Sequence, residues 1–138
     1  DINVYTLLGD GEIQEGQVWE ASMFAGAKHL DNLCVIVDNN NLQIDGPIGE
    51  VNSPYPIDDK FKAFNFHVIN IDGHNFDEIR MALNEAKTIK GQPTAIIMKT
   101  VKGKGVSFME GKSAWHGKAI DDESFAKAME ELGGAVNA

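Results

Sequence analysis

The sequence is short of several residue types, and each shortage excludes something. Its only cysteine, Cys34, sits in the apolar run Leu33-Cys34-Val35-Ile36-Val37. One thiol allows no internal disulfide framework and no cysteine-rich zinc site. It reads as a buried core group, in keeping with a reducing, cytoplasmic setting. No segment is long and apolar enough to span a bilayer, although 43% of the residues are hydrophobic. Positive charge is scarce as well. Lys and Arg number 12 against 21 Asp and Glu, a net charge of −9, and such a field repels nucleic-acid phosphates. No repeat, low-complexity tract or clear linker divides the 138 residues, which fit one domain able to bury its own core. The opening Asp1-Ile2-Asn3-Val4-Tyr5 has no signal- or transit-peptide pattern. It enters directly on a strand, so a preceding part of a larger protein is expected to be missing.

What is present is an alternation of β-rich apolar runs with helical patterns. Strands are predicted at Val4 to Leu8, Leu33 to Val37, Phe66 to Ile71 and Thr94 to Met98. Helices are predicted at Gly16 to Leu30, Asp58 to Phe64, from Asn75 onward, and at Asp121 to Leu132. The first shows Trp19, Met23, Ala27 and Leu30 on one face and Ala21 and Ala25 on another, the pattern of a helix buried on most sides. Asn75 and Glu78 have capping-box spacing, ahead of a stripe of Phe76, Ile79, Leu83 and Ala86. Asp38 to Pro56 reads as a long loop. Lys99 to Lys118 reads as another, holding Lys99, Lys102, Lys104, Lys112, Lys118 and His116 against the single acid Glu110. The fold class is α/β: a mostly parallel sheet with helices on both faces. Ligands in such folds bind beyond the carboxyl ends of the strands, so the loops after the first, second and fourth strands should meet at one edge.

The first of those loops is Gly9-Asp10-Gly11. A dinucleotide-binding loop is the obvious rival, but the position for its third glycine is Gln14, and the Asp10 carboxylate would repel phosphate. A divalent cation between them removes the repulsion. Asn40 lies thirty residues later, at the end of the next strand. On parallel neighbours the two side chains leave the same edge. A carboxylate, an amide oxygen and a backbone carbonyl suit magnesium, with phosphates and water completing the octahedron. A helix start after Gly11 would add amide donors for an anion.

Gly9-Asp10-Gly11 followed by Asn39-Asn40 resembles the thiamine diphosphate fingerprint. The surrounding text, Gly9-Asp10-Gly11-Glu12-Ile13-Gln14-Glu15-Gly16, Asn40-Asn41-Leu42-Gln43-Ile44-Asp45-Gly46, Thr100-Val101-Lys102-Gly103-Lys104-Gly105 and Trp115-His116-Gly117, resembles the transketolase family over essentially the whole chain. The resemblance implies thiamine diphosphate and Mg²⁺ as cofactors. It implies Asp10, Asn40 and the Leu42 carbonyl as magnesium ligands. Asn40 is preferred to Asn39 by aligning Ile44-Asp45-Gly46. Gly9 and Gly11 would face the diphosphate and Ile44 the thiazolium ring. His116 would reach the diphosphate and the reacting substrate. Glu15 and Glu20 match family carboxylates at the subunit interface, implicated in communication between active sites, whereas Trp19, Met23 and Phe24 read as core or dimer contacts. His29, His67 and His74 read as helix end, strand surface and turn.

The activity so implied is transfer of a two-carbon ketol unit between sugar phosphates. Residues 1–138 would then be one partial domain, the pyrophosphate and magnesium half. Its N-terminal part and the pyrimidine-binding domain would come from the same or a separate chain, in a homodimer or a split heteromer. Other members of the class share the Gly-Asp-Gly and distal Asn pairing: deoxyxylulose phosphate synthase, phosphoketolase and the 2-oxo acid dehydrogenase component. A non-catalytic α/β binding module is the reading from a different class, distinguished by binding without magnesium.

Overall fold

A computed structural model describes residues 2–134. Four strands, β1 (Val4–Gly9), β2 (Leu33–Asn39), β5 (His67–Asp72) and β6 (Thr94–Lys99), form an all-parallel sheet in the order β1-β2-β6-β5. A two-residue hairpin, β3 (Leu42–Gln43) with β4 (Gly46–Pro47), stands apart. Helices are α1 (Gly16–Ala27), α2 (Ile48–Val51), α3 (Ile57–Ala63), α4 (Phe76–Thr88) and α5 (Asp122–Glu131).

The two central strands, β2 and β6, are apolar on both sides because both faces of the sheet are covered. On one face Val35, Val37, Ala95 and Ile97 pack with Ala25 of α1, with Ile57 and Phe61 of α3, and with Ile13 and Phe66. On the other, Cys34 and Ile96 pack with Ala82 and Ala86 of α4, flanked by Ile36, Ile69 and Leu83. Burial pushes the Cys34 thiol up to about 11, so it is an inert core group, as the sequence implied.

Several expectations shift. Helix α1 ends at Ala27, three residues early, because His29 adopts a left-handed φ of 53°. Its buried face is Ser22, Ala25 and Gly26, leaving Met23 and Phe24 exposed. Close approach decides this: a Cβ on Gly26 would sit 1.8 Å from the Phe64 carbonyl oxygen, so the small-residue face is the one that meets the core. Trp19 keeps a core role, with its ring 5.3 Å from that of Phe61. On α4 the stripe omits Phe76, which is 85% exposed at the first turn, and runs instead through Ala82 and Ala86. Asn75 caps α4, accepting from the Asp77 and Glu78 backbone N–H groups at 3.0 and 3.3 Å. Glu78 reaches back to the Asp72 N–H at 2.8 Å rather than to the cap residue's own N–H. The long Asp38–Pro56 loop is also partly regular, holding the hairpin and α2.

Strand β1 has a neighbour on one side only. Its Tyr5 and Leu7 are exposed beyond the part of the sheet that α4 covers. A trough lined by Leu8, Val18, Leu33, Val35 and Phe66 opens beside it on the other face. Among the described residues no helix is long and apolar enough to cross a membrane.

Candidate active site

Because β1, β2 and β6 run parallel and adjacent, their following loops emerge together. They enclose a cavity of about 510 Å³ lined by Gly9, Asp10, Gly11, Glu12, Asp38, Asn40, Leu42, Gln43, Ile44, Asp45, Lys102 and His116. Asp10, Asn40, Ile44 and His116, expected together from sequence, are thus brought to one space. Glu15 and Glu20 are not: both are exposed on the outside of α1 and line no part of it.

Asp10 is 1% exposed. Its Oδ2 accepts from the Asn39 side-chain amide at 3.0 Å and the Asn41 backbone N–H at 2.5 Å. Burial holds its pKa above the ordinary value. The Asn39, Asn41 and Gly11 donors pull against that shift, and the nearby Asp38 charge adds to it. Among the described residues no lysine, arginine or histidine lies within ion-pair distance of Asp10. A buried carboxylate without a cationic partner is costly and suits a site that takes its positive charge from a ligand.

Asn40 is oriented from both ends. Its Nδ2 donates to Asp38 Oδ2 at 3.2 Å and its Oδ1 accepts the Leu42 N–H at 3.0 Å. Asp38 in turn accepts the Thr100 hydroxyl. Leu42 is opposite Pro47, which has no N–H. Hydrogen-bonded rungs alternate with open ones in an antiparallel pair. Ile48 N–H donates to the Asn41 carbonyl at 3.0 Å, so the Leu42 rung is the open kind. Its N–H and carbonyl face away from β4, toward the Asn40 side. Asp10, Asn40 and the Leu42 carbonyl are therefore a set of hard oxygens suited to a magnesium ion. No group of three His, Cys, Asp or Glu side chains among the described residues is placed to hold a metal by itself. The donor set fits an ion that also takes ligand phosphates, and not an all-protein cage.

Gly11 is required by packing: a Cβ there would lie 2.9 Å from Gln43 Cβ. The hairpin docks against the Gly9-Asp10-Gly11 turn, and Gln14 Nε2 donates to Gln43 Oε1 at 2.7 Å. The helix predicted from Gly16 does start there, so the amide donors expected just after Gly11 are not its first turn. Glu12–Gln14 is a single 3₁₀ turn anchored by the fully buried Ile13, and α1 begins only at Gly16. The Gly9 N–H is taken by Glu12 Oε2 at 3.0 Å. The helix dipole is thus set back from the turn.

His116 ends a short 3₁₀ turn, Ser113–Trp115, and is exposed. The other histidines are engaged elsewhere. His29 Nδ1 is 2.8 Å from the Gly91 carbonyl, His67 pairs with Glu85 at 2.7 Å, and His74 Nε2 accepts the Val101 N–H at 2.8 Å. Asp38 stands just before the Asn39-Asn40 pair and Thr100 opens the Thr100–Gly105 motif, and neither had a role assigned from the sequence. Tyr55 had no signal at all, since it lies in a patternless loop. Its hydroxyl meets Asn39 and Asn41.

The family model described as transketolase, thiamine diphosphate binding domain, matches residues 1–137. The 6-deoxy-6-sulfo-D-fructose transketolase subunit SqwG of Clostridium sp. (strain MSTE9) is 50% identical over 129 residues, 94% of this chain and 47% of that protein. An apulose-4-phosphate transketolase subunit of Phocaeicola vulgatus is 37% identical over 132 residues, 96% of this chain and 47% of that one. The crystal structure of transketolase from Campylobacter jejuni superposes with a TM-score of 0.93 at 38% identity, covering 100% of this chain and 22% of the other. The chain thus spans about half the length of these curated relatives.

Proposed function

The chain belongs to the transketolase family, in its thiamine diphosphate-binding domain, and from that premise we propose that it supplies the magnesium and diphosphate half of an active site for ketol transfer between ketose and aldose phosphates. The observation that carries this reading is the convergence of Asp10, Asn40, Leu42, Lys102 and His116 on one cavity.

The cofactor, when bound, supplies a carbanion equivalent at its thiazolium ring. The residues of this chain bind and orient. Asp10, Asn40 and the Leu42 carbonyl hold the cation. Each of the two oxygens already engaged, Asn40 Oδ1 and the Asp10 carboxylate, keeps lone pairs to spare. Gly9 and Gly11 let the diphosphate approach the backbone. Ile44, 72% exposed at the cavity wall, offers apolar surface to the ring. Lys102 and His116 are the cationic and N–H donors for phosphate oxygens, and His116 steadies oxyanion charge on the reacting sugar.

Glu15 and Glu20, on the outer side of α1, face a neighbouring subunit in this reading, together with the exposed Met23 and Phe24. Residues 1–138 act as a partial domain. The open edge of β1, with Tyr5 and Leu7 uncovered, supports a further N-terminal part packing there. Relatives of about twice the length that are named as subunits support a pyrimidine-binding domain on a separate chain, in a split enzyme. The unpaired, buried Cys34 suits the cytoplasm. Given the 50% identity to SqwG, a sulfonated ketose belongs in the substrate panel beside the sugar phosphates.

Calorimetry with thiamine diphosphate, with and without magnesium, on the unaltered chain and on Asp10→Ala tests the site. Binding is expected only for the unaltered chain with magnesium. Equal binding by both proteins, or binding indifferent to the cation, would overturn the reading.

A further inference from the structure

Between α2 and α3, one side chain reaches back to the site from a segment with no other part in it. Tyr55 places its hydroxyl between two of the three consecutive asparagines after β2. The Asn39 amide Nδ2 donates to it at 2.8 Å. The hydroxyl lies 3.1 Å from Asn39 Oδ1 and also donates to Asn41 Oδ1.

A count of hydrogens shows what this does. The Asn39 amide has two N–H donors, one on Tyr55 and the other on Asp10 Oδ2 at 3.0 Å. Both are committed, so the amide cannot exchange its nitrogen and oxygen ends. The hydroxyl, having accepted from Asn39, has one hydrogen to give, and the Asn41 side chain takes it. Asn41 sits at a left-handed φ of 65°, which aims its N–H at Asp10 Oδ2, 2.5 Å away. Oδ2 therefore receives two donors, which fill its two lone pairs. Oδ1 takes neither of these donors and, even with the Gly11 N–H nearby, keeps a lone pair for the cavity.

We propose that Tyr55 is a positioning residue for the cation site: its hydroxyl locks Asn39 and the Asn41 turn so that Asp10 presents one oxygen, Oδ1, to the ion. This rests on Asp10 being a cation ligand. Loss of the hydroxyl leaves the Asn39 amide held by Asp10 alone and the Asn41 side chain without its donor. The two donors to Oδ2 then loosen together, and Asp10 is freer to turn away. Tyr55 lies on an exposed loop, 44% accessible, so the effect should fall on cation affinity and not on folding.

The test uses the full chain with thiamine diphosphate and Mn²⁺, the ion read by electron paramagnetic resonance. Tyr55→Phe keeps the ring and deletes the hydroxyl. Its Mn²⁺ dissociation constant is expected to rise about tenfold, the scale of one hydrogen bond in a charged network, with an unchanged melting temperature. Tyr55→Leu deletes the ring too and should weaken Mn²⁺ no further. In the metal-free protein, one of the two Asn39 side-chain amide resonances should move in Tyr55→Phe. Equal Mn²⁺ affinity in Tyr55→Phe and the unaltered chain would overturn the role of Tyr55 while leaving the site reading intact. So would a loss of affinity matched by a fall in melting temperature, or one seen only in Tyr55→Leu. Failure of the unaltered chain to bind Mn²⁺ at millimolar concentration would overturn the site reading, and this proposal with it.

Discussion

Two loops meet at the same sheet edge and are held in different ways. The one after β2 is braced by side chains. Asn39, Asn41 and Tyr55 interlock around Asp10, and Asp38 fixes Asn40. The one after β6 is shaped by its backbone and anchored at its flanks. Gly103, Gly105 and Gly111 take φ of 69°, 89° and 71°. Val106 is buried, the Phe108 and Trp115 rings meet edge-on at 5.4 Å, and Ser107 is tied to Glu131 of α5 at 2.5 and 2.7 Å. His116 lies past these anchors, exposed. The half that holds Asp10 and Asn40 is therefore set before any ligand arrives, whereas the half that holds His116 relies on glycine-permitted turns to bring that side chain to the cavity. Preorganisation of this kind lowers the cost of binding, and it is spent on the charge that is hardest to bury.

The sharpest way to break the contrast is at Asp10. Asp10→Asn should abolish magnesium-dependent binding of thiamine diphosphate while raising the melting temperature of the metal-free chain. The sign follows from the pKa, which burial has raised. The favourable contribution of a protonated Asp10 is present below the ordinary carboxylate pKa and lost as pH rises through the folded value. At neutral pH the charged group is thus a burden that Asn lacks. A melting series at neutral pH, with and without magnesium, checks it; a lower metal-free melting temperature in Asp10→Asn would contradict it.

A smaller effect is expected at Gly103. A Cβ there would lie 2.8 Å from the Met109 backbone, at a left-handed φ. Gly103→Ala should cost at least about 1–3 kcal/mol in denaturant melts, with magnesium affinity retained if the two loops are held independently. The smallest change in stability belongs to His116→Ala. An exposed side chain without a strained backbone should alter stability by no more than about 0.5 kcal/mol. Ketol transfer, assayed once the complementing domain is supplied, should nonetheless fall. A large loss of stability would mean that the second loop is braced like the first.

The outline of the fold was legible because it rests on periodicity and punctuation. Continuous apolar runs marked β2 and β6, Asn75 marked the start of α4, and the thirty-residue step from Asp10 to Asn40 followed from parallel neighbours. The convergence of Gly9, Asp10, Asn40, Ile44 and His116 could be anticipated once three strand ends were taken to share an edge. Periodicity could not say which of two apolar faces of α1 turns inward, because that depends on how closely Gly26 approaches Phe64. It counted Phe76 as core because composition does not reveal that the first turn of α4 overhangs the sheet. Tyr55 was invisible, since a hydroxyl 14 and 16 residues from its partners leaves no trace in local pattern. The 3₁₀ turn ahead of α1 was hidden too, because Ile13 fits a 3₁₀ turn and an irregular loop equally well.

The Leu42 carbonyl, proposed above as a cation ligand, ties the site to the geometry of its hairpin. A main-chain donor is indifferent to the side chain it belongs to, so position 42 is free to drift among residues that suit a strand. The length of the turn between Gln43 and Gly46 is not free. One residue inserted there would exchange open and bonded rungs and swing the oxygen into the hairpin. At that point the geometry constrains a spacing, and the side chain carried there is incidental.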